Sequence, residues 1–266
     1  MFRLRRTRQR LLVVVEKLGM TISPYTWLLL AGIFVSFLFG RRRARRDKRL
    51  LFIYAAAIVG AFFGAKLVYL AAEGWLHFGA PDMWLQLAAG KSILGALLGG
   101  YAFVELAKRF VGYRHATGDD FALIAPISIG LGRVGCLLHG CCLGTVCPTE
   151  WYALRDVQGV PRWPAVPVEI AFNLIASALF FFLRRRKLLS GQHFHLYLIG
   201  YGLFRFAHEF VRATPKIMGA FSGYHFAAIA VALLGLVGFV YRLSSWSRAG
   251  FQNSERPEGR SSPTLA

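Results

Sequence analysis

Apolar runs of roughly 20 residues, two of them closed directly by a short basic run, limit what this chain can fold into more than any other feature. "RRRARRDKR" (41–49) and "RRRK" (184–187) each follow directly on such a run. A helix of about 20 apolar residues crosses the hydrocarbon core of a bilayer. The chain is 56% hydrophobic yet carries a net charge of +19, so the charge has to be segregated from the apolar mass. The expected fold class is all-α, a polytopic membrane helix bundle. Basic runs at the ends of apolar segments answer to anionic headgroups and topology more simply than to nucleic acid, and no nucleic-acid partner is expected. The first apolar run, "LLVVV" (11–15), is too short and lacks the small-residue site of a cleaved signal peptide.

Seven spans are expected, at about 21–40, 50–73, 90–109, 119–139, 166–183, 193–211 and 224–241. Lys and Arg number 18 on one side of this arrangement and 10 on the other, and 14 against 4 in the inter-helix loops alone. The positive-inside rule then puts the N-terminus outside and the C-terminus in the cytoplasm, although the basic N-terminal arm opposes it. The expected organisation is a basic arm or interfacial helix at 1–20, a membrane domain at 21–241, and a disordered cytoplasmic tail at 242–266. Glycines at close-packing spacing recur within the spans, as in Gly60 with Gly64, Gly95 with Gly99 and Gly100, and Gly130, Gly132 and Gly135. Small residues four apart let helix backbones approach in lipid.

Charged groups inside these spans are the functional signal. Lys66, Glu73, Lys91, Glu105, Arg133, Glu169, Arg205, His208 and Glu209 lie within or at the edges of spans. A mid-bilayer charge costs about 2.5–3.5 kcal/mol, so several in one bundle must face one another or a wet cavity. Internal ion pairs that fix helix register are the bland explanation, applicable to Glu105 and Lys66. Arg133 has no carboxylate at i+3 in its own span, whereas Arg205 has Glu209 at i+4. Two unneutralised guanidiniums in a membrane cavity call for an anion, and the abundant one is a phospholipid phosphate, which the planar fork of arginine binds bidentately. The reading that follows from the residues alone is an anionic lipid headgroup bound between helices.

All four cysteines, Cys136, Cys141, Cys142 and Cys147, cluster at the outer end of the fourth span. An oxidising exterior favours one or two disulfides there, joining Cys141 or Cys142 to Cys136 or Cys147 and bracing the mouth of the cavity. The spacing is not a standard zinc pattern even with His139 included, so no metal and no cofactor are expected. Thiol redox chemistry is a third reading, with nothing else in the chain to support it.

The motifs themselves are familiar. "GAFFGAKLVY" (60–69), "GKSILGALLGG" (90–100), "GLGRVGCLLHGCCLG" (130–144), "PRWPAVPVE" (161–169) and "YGLFRFAHEFVR" (201–212) occur in the order and spacing of the prolipoprotein diacylglyceryl transferase family, which the chain resembles from about 20 to 241. That resemblance implies a multi-pass protein of the bacterial inner membrane. It would move a diacylglyceryl group from phosphatidylglycerol, or a related anionic phospholipid, to the lipobox cysteine thiol of a preprolipoprotein. Arg133 and Arg205 fall on the family's motif arginines and would stabilise the departing phosphate. Gly144 matches the glycine that closes the signature, and Glu169 matches a motif carboxylate. Lys66, Ser92 and Cys136 occupy further substrate-binding positions, Lys66 standing where arginine is usual and Cys136 where asparagine is. The family's glycine-flanked histidine falls on Leu94, its signature glutamate on Cys141, and its first-span tyrosine has no clear match, Tyr25 being out of register. Another base is then needed, and His139, His208 and Glu209 are the candidates, with His139 first and Glu209 beside it. Leu94→Ala is expected to matter little to lipid-dependent activity. The alternative is a noncatalytic or re-purposed lipid-binding paralogue.

Overall fold

The computed structural model describes residues 24–254 apart from positions 46 and 149. Its helices are α1 (Pro24–Ala44), α2 (Arg49–Ala72), α3 (Met83–Ala89), α4 (Ile93–Phe110), α5 (Gly118–His139), α6 (Ala165–Arg185), α7 (His193–His208) and α8 (Gly223–Ser254). Single 3₁₀ turns occupy Gly74–His77 and Glu209–Val211. Two short strands, β1 (Leu154–Arg155) and β2 (Pro161–Arg162), pair antiparallel in the loop between α5 and α6.

The solvent of this bundle is hydrocarbon. In α2, α5, α6 and α8, the helices long and apolar enough to cross a membrane, only 17–39% of the most apolar stretch is buried. Phe62, Leu67, Ile175, Leu203 and Val237 are exposed. Helices whose outward face is as apolar as the inward one are stable only where lipid covers them. The helical membrane class read from the sequence therefore holds. The count of seven is not reproduced by length and composition. Four helices qualify, or five if α3 and α4, bent by 58°, form one broken span. Each of the seven expected segments is nonetheless helical over most of its described residues. α1 carries Arg41, Arg42 and Arg43 near its C-terminal end, and α7 spans 16 residues. At 1.5 Å per residue, α7 is only about 24 Å long, short of a hydrocarbon core of about 30 Å.

Two other expectations change. The third expected span is no straight helix from 90, because Gly90–Lys91–Ser92 breaks it. The expected tail is helical as far as Ser254. Its polar composition hid that no proline occurs before Pro257, so a helix nucleated in the membrane propagates onward. Residues 255–266 and the expected arm at 1–20 lie outside the described residues.

Packing places the functional groups at one end. The α2–α4 seam uses glycine as read: a Cβ on Gly64 would come within 2.2 Å of the Gly95 carbonyl oxygen, and one on Gly95 within 2.1 Å of the Gly64 oxygen. A core cluster including Leu94, Leu97, Ala122, Phe180, Tyr197, Tyr201 and Val231 joins α4 to α8. Arg184 pairs with Asp120 at 2.8 Å, and the Gly191 amide donates to Asp119 at 2.6 Å. These contacts tie the start of α5 to the link between α6 and α7, at the basic end of the bundle. At the opposite end the Tyr224 hydroxyl donates to Glu73 at 2.7 Å, tying the close of α2 to the start of α8. There α5 and α7 finish and α6 begins.

Candidate active site

Five buried ionic side chains meet at that second end. Arg133 comes from α5, Glu169 from the first turns of α6, Arg205 from the last turn of α7, and Glu209 and Arg212 from the 3₁₀ turn and its cap. Arg133 Nε lies 2.9 Å from Glu169 Oε2, and Arg205 Nη2 lies 2.8 Å from Glu209 Oε2. Arg212 bridges the two pairs, its Nη1 3.7 Å from Glu169 Oε2 and its Nε 3.7 Å from Glu209 Oε2. Both carboxylates are 0% exposed. Helical spacing explains the Arg205–Glu209 pair, since residues four apart share a face. The Tyr201 hydroxyl donates to Glu169 Oε1 at 2.7 Å. Glu209 Oε1 accepts from the Thr214 hydroxyl and, at 3.1 Å, from the Ser222 hydroxyl.

The two arginines expected to be unneutralised are therefore paired, by a carboxylate from another helix in one case. Positive charge still prevails, with three guanidiniums facing two carboxylates. Arg205 Nε and Nη1 and Arg212 Nε and Nη1 make no hydrogen bond among the described residues. Buried donors without acceptors are costly, and a tetrahedral oxyanion offers several acceptors at once. Desolvation, followed by the neighbouring charges of Arg205 and Arg133, pulls Arg212 below its usual value. An anion beside it would offset both penalties.

The loop after α5 holds Arg212 in place. Gly144 forms a β-bridge with Arg212, its amide donates to the Trp163 carbonyl at 3.1 Å, and the Thr145 amide donates to the Val211 carbonyl at 2.9 Å. A Cβ on Gly144 would fall 2.6 Å from the Trp163 carbonyl oxygen and 2.8 Å from that of Val211. Gly144 thus serves the site through backbone proximity, by letting the loop lie against the segment that carries Arg212.

The remaining expected residues divide. Cys136 Sγ lies 3.9 Å from Arg133 Nη1, at the edge of the cluster. His139 is exposed, about 240° around α5 from Arg133 at 100° per residue, so the structure does not bring it among the buried charges. His208 is buried, stacked on Phe204 with ring centroids 5.0 Å apart, and neither of its nitrogens has a hydrogen-bond partner among the described residues. Lys66 Nζ donates to the carbonyls of Leu87, Ala88 and Gly90 at 2.5, 2.7 and 2.9 Å, capping α3. Ser92 caps α4, its hydroxyl accepting from the Gly95 amide at 3.4 Å. The expected disulfides are absent, all four cysteines being free thiols.

Leu94 is 1% exposed in the cluster that contains Tyr201. The expectation that its truncation matters little concerns activity, and burial adds a separate cost in stability. Leu94→Ala is expected to lower stability by about 2–5 kcal/mol through the cavity it leaves, measured by thermal unfolding in detergent. A cavity of about 330 Å³ lies between α1, α2, α4 and α5, lined by Tyr54, Leu97, Gly100, Val104, Ile124 and Ser128, and none of the five ionic residues lines it.

Arg212 is the member of the buried cluster that the sequence does not single out. It closes the "YGLFRFAHEFVR" segment three residues after Glu209, which was signal enough, but it counted only as a loop charge. Fold and site together define the class: a polytopic helical membrane protein with a buried arginine-rich ionic cluster at one end of its bundle. A profile described as "Prolipoprotein diacylglyceryl transferase" matches residues 13–241, so the chain belongs to that family. Three relatives carry the name phosphatidylglycerol–prolipoprotein diacylglyceryl transferase. That of Clostridium tetani is 26% identical over 251 residues, covering 89% of this chain and 98% of the relative. The Methylococcus capsulatus protein is 30% identical over 245 residues, covering 84% and 91%. The Bordetella avium protein is 29% identical over 243 residues, covering 83% and 89%.

Proposed function

We propose that this protein transfers a diacylglyceryl group from phosphatidylglycerol, or a related anionic phospholipid, to the cysteine thiol of a prolipoprotein lipobox. The observation that carries this reading is the surplus of buried guanidinium, with unpartnered donors on Arg205 and Arg212. The acceptor sulfur attacks the glyceryl carbon and the carbon–oxygen bond to phosphate breaks. Glycerol 1-phosphate leaves with its charge on the arginines, and the thiol proton passes to a base. Electrostatic stabilisation of the leaving oxyanion is the chief service such a cradle provides. Arg133 and Glu169 anchor the cradle, and Gly144 positions Arg212. His208 has the better claim to be the base in place of the residue at Leu94, because it adjoins the cluster while His139 is exposed and Glu209 is held by its cationic and hydroxyl partners.

The topology that goes with this reading has seven crossings in the bacterial inner membrane, the N-terminus outside and the C-terminus cytoplasmic. The ionic cluster then lies at the outer end, where an exported lipobox arrives. The basic arm at 1–20 rests on the headgroups, and the chain beyond α8 extends into the cytoplasm. One observation favours the second reading, a noncatalytic lipid-binding paralogue: Leu94 stands where the family's motif carries a histidine.

The test is transfer from phosphatidylglycerol labelled in its glycerolipid to a lipobox peptide, by purified protein in bilayer discs. A thioether-linked lipid on the peptide cysteine is expected. Lipid retained without any transfer would favour the binding reading.

A further inference from the structure

Three of the four thiols converge where the sequence alone did not require it. The sulfurs of Cys136, Cys141 and Cys142 all lie within 4.8 Å of one another. Two backbone features bring them together. Gly140, at φ +68°, turns the chain back at the end of α5, so that the Cys141 amide donates to the Cys136 carbonyl at 3.1 Å. Cys142 itself adopts φ +62°, the left-handed region that a residue with a Cβ seldom occupies. A conformation that glycine or asparagine would satisfy more cheaply is held here by a cysteine. It is a local strain of the kind that collects at ligand sites. Cys136 is buried against Arg133 while Cys142 is exposed, so the trio has a buried floor beside a guanidinium and an open mouth.

We propose that Cys136, Cys141 and Cys142 form a three-thiolate site for a soft monovalent metal ion, Cu(I). Thiolate ligands select soft ions. With metal–sulfur bonds of about 2.3 Å, a trigonal site needs sulfurs roughly 4 Å apart, compatible with three sulfurs that all lie within 4.8 Å of one another. No histidine or carboxylate belongs to the same group among the described residues, whereas zinc almost always takes four ligands. Charge also favours the monovalent ion. Three thiolates and Cu(I) leave two negative charges beside Arg133, whose Nη1 is 3.9 Å from Cys136 Sγ. Binding replaces thiol protons by metal, with no change of oxidation state. This site goes beyond the transfer reaction and does not depend on it.

The test uses the full-length protein in detergent under anaerobic, reducing conditions, titrated with Cu(I) against a chromogenic Cu(I) chelator and, separately, with Zn(II). One Cu(I) per chain is expected, with an X-ray absorption spectrum fitted by sulfur alone at about 2.3 Å. Cys142→Ser, at an exposed position, is expected to weaken binding at least tenfold, and Cys147→Ser to leave it unchanged. Failure to retain Cu(I), unaltered affinity in Cys142→Ser, or a preference for Zn(II) would each overturn the site. None of these readouts involves lipid transfer, so the site and the proposed reaction stand or fall separately.

Discussion

Arg212→Gln is expected to lower diacylglyceryl transfer by about 10²–10³-fold while the protein stays folded. Of the three guanidiniums this one has the loosest pairing, 3.7 Å from each carboxylate, so its removal breaks no close ion pair. What disappears is the surplus: two guanidiniums would then face two carboxylates, and no net positive charge would remain for the phosphate. The bridge to Gly144 is made by backbone and survives the substitution. Transfer from labelled phosphatidylglycerol, set beside a thermal unfolding curve, separates the two effects. Full transfer in this variant would remove Arg212 from the cradle.

Arg133→Met acts the other way, on stability first. It leaves Glu169, wholly buried, with the Tyr201 hydroxyl at 2.7 Å and only the more distant guanidiniums of Arg205 and Arg212 as counter-charge. Breaking one side of a buried pair costs about 3–5 kcal/mol, because the partner's charge stays behind. Thermal unfolding in detergent should show a large loss, and Glu169→Gln added to Arg133→Met should recover part of it by discharging the orphaned carboxylate. If Arg133→Met unfolds at the wild-type temperature, the pair is not the anchor described. If the second substitution deepens the loss, Glu169 has another role.

What the sequence made legible and what it hid divide along a physical line. Apolar run length and the placement of basic residues depend on the local chain and the bilayer, so the helical membrane class and the positions of the helical segments could be read directly. The α2–α4 glycine seam was readable for the same reason, since residues four apart share a helix face. Features made between distant segments were not. Nothing local to Arg133 announces that Glu169 faces it from the next long helix. Lys66 looked like a site cation because its true partners, three carbonyls at the end of α3, exist only once the chain breaks at Gly90–Lys91–Ser92. Arg212 was weighed as one more loop charge, and only the Gly144 bridge shows why it is buried. For the cysteines, compartment suggested disulfides, but the turn at Gly140 and the left-handed Cys142 produce a cluster of three thiols. Leu94 read as a lost functional group, and its burial makes it a core residue as well.

Headgroup selectivity in lipid retention tests the central claim most directly. Native mass spectrometry of the purified protein, equilibrated with equal phosphatidylglycerol and phosphatidylethanolamine, reports which lipid the bundle keeps. The account predicts clear enrichment of phosphatidylglycerol, lost in the folded Arg205→Gln/Arg212→Gln variant. Equal retention of both lipids by the wild type, or undiminished enrichment in that variant, would contradict it.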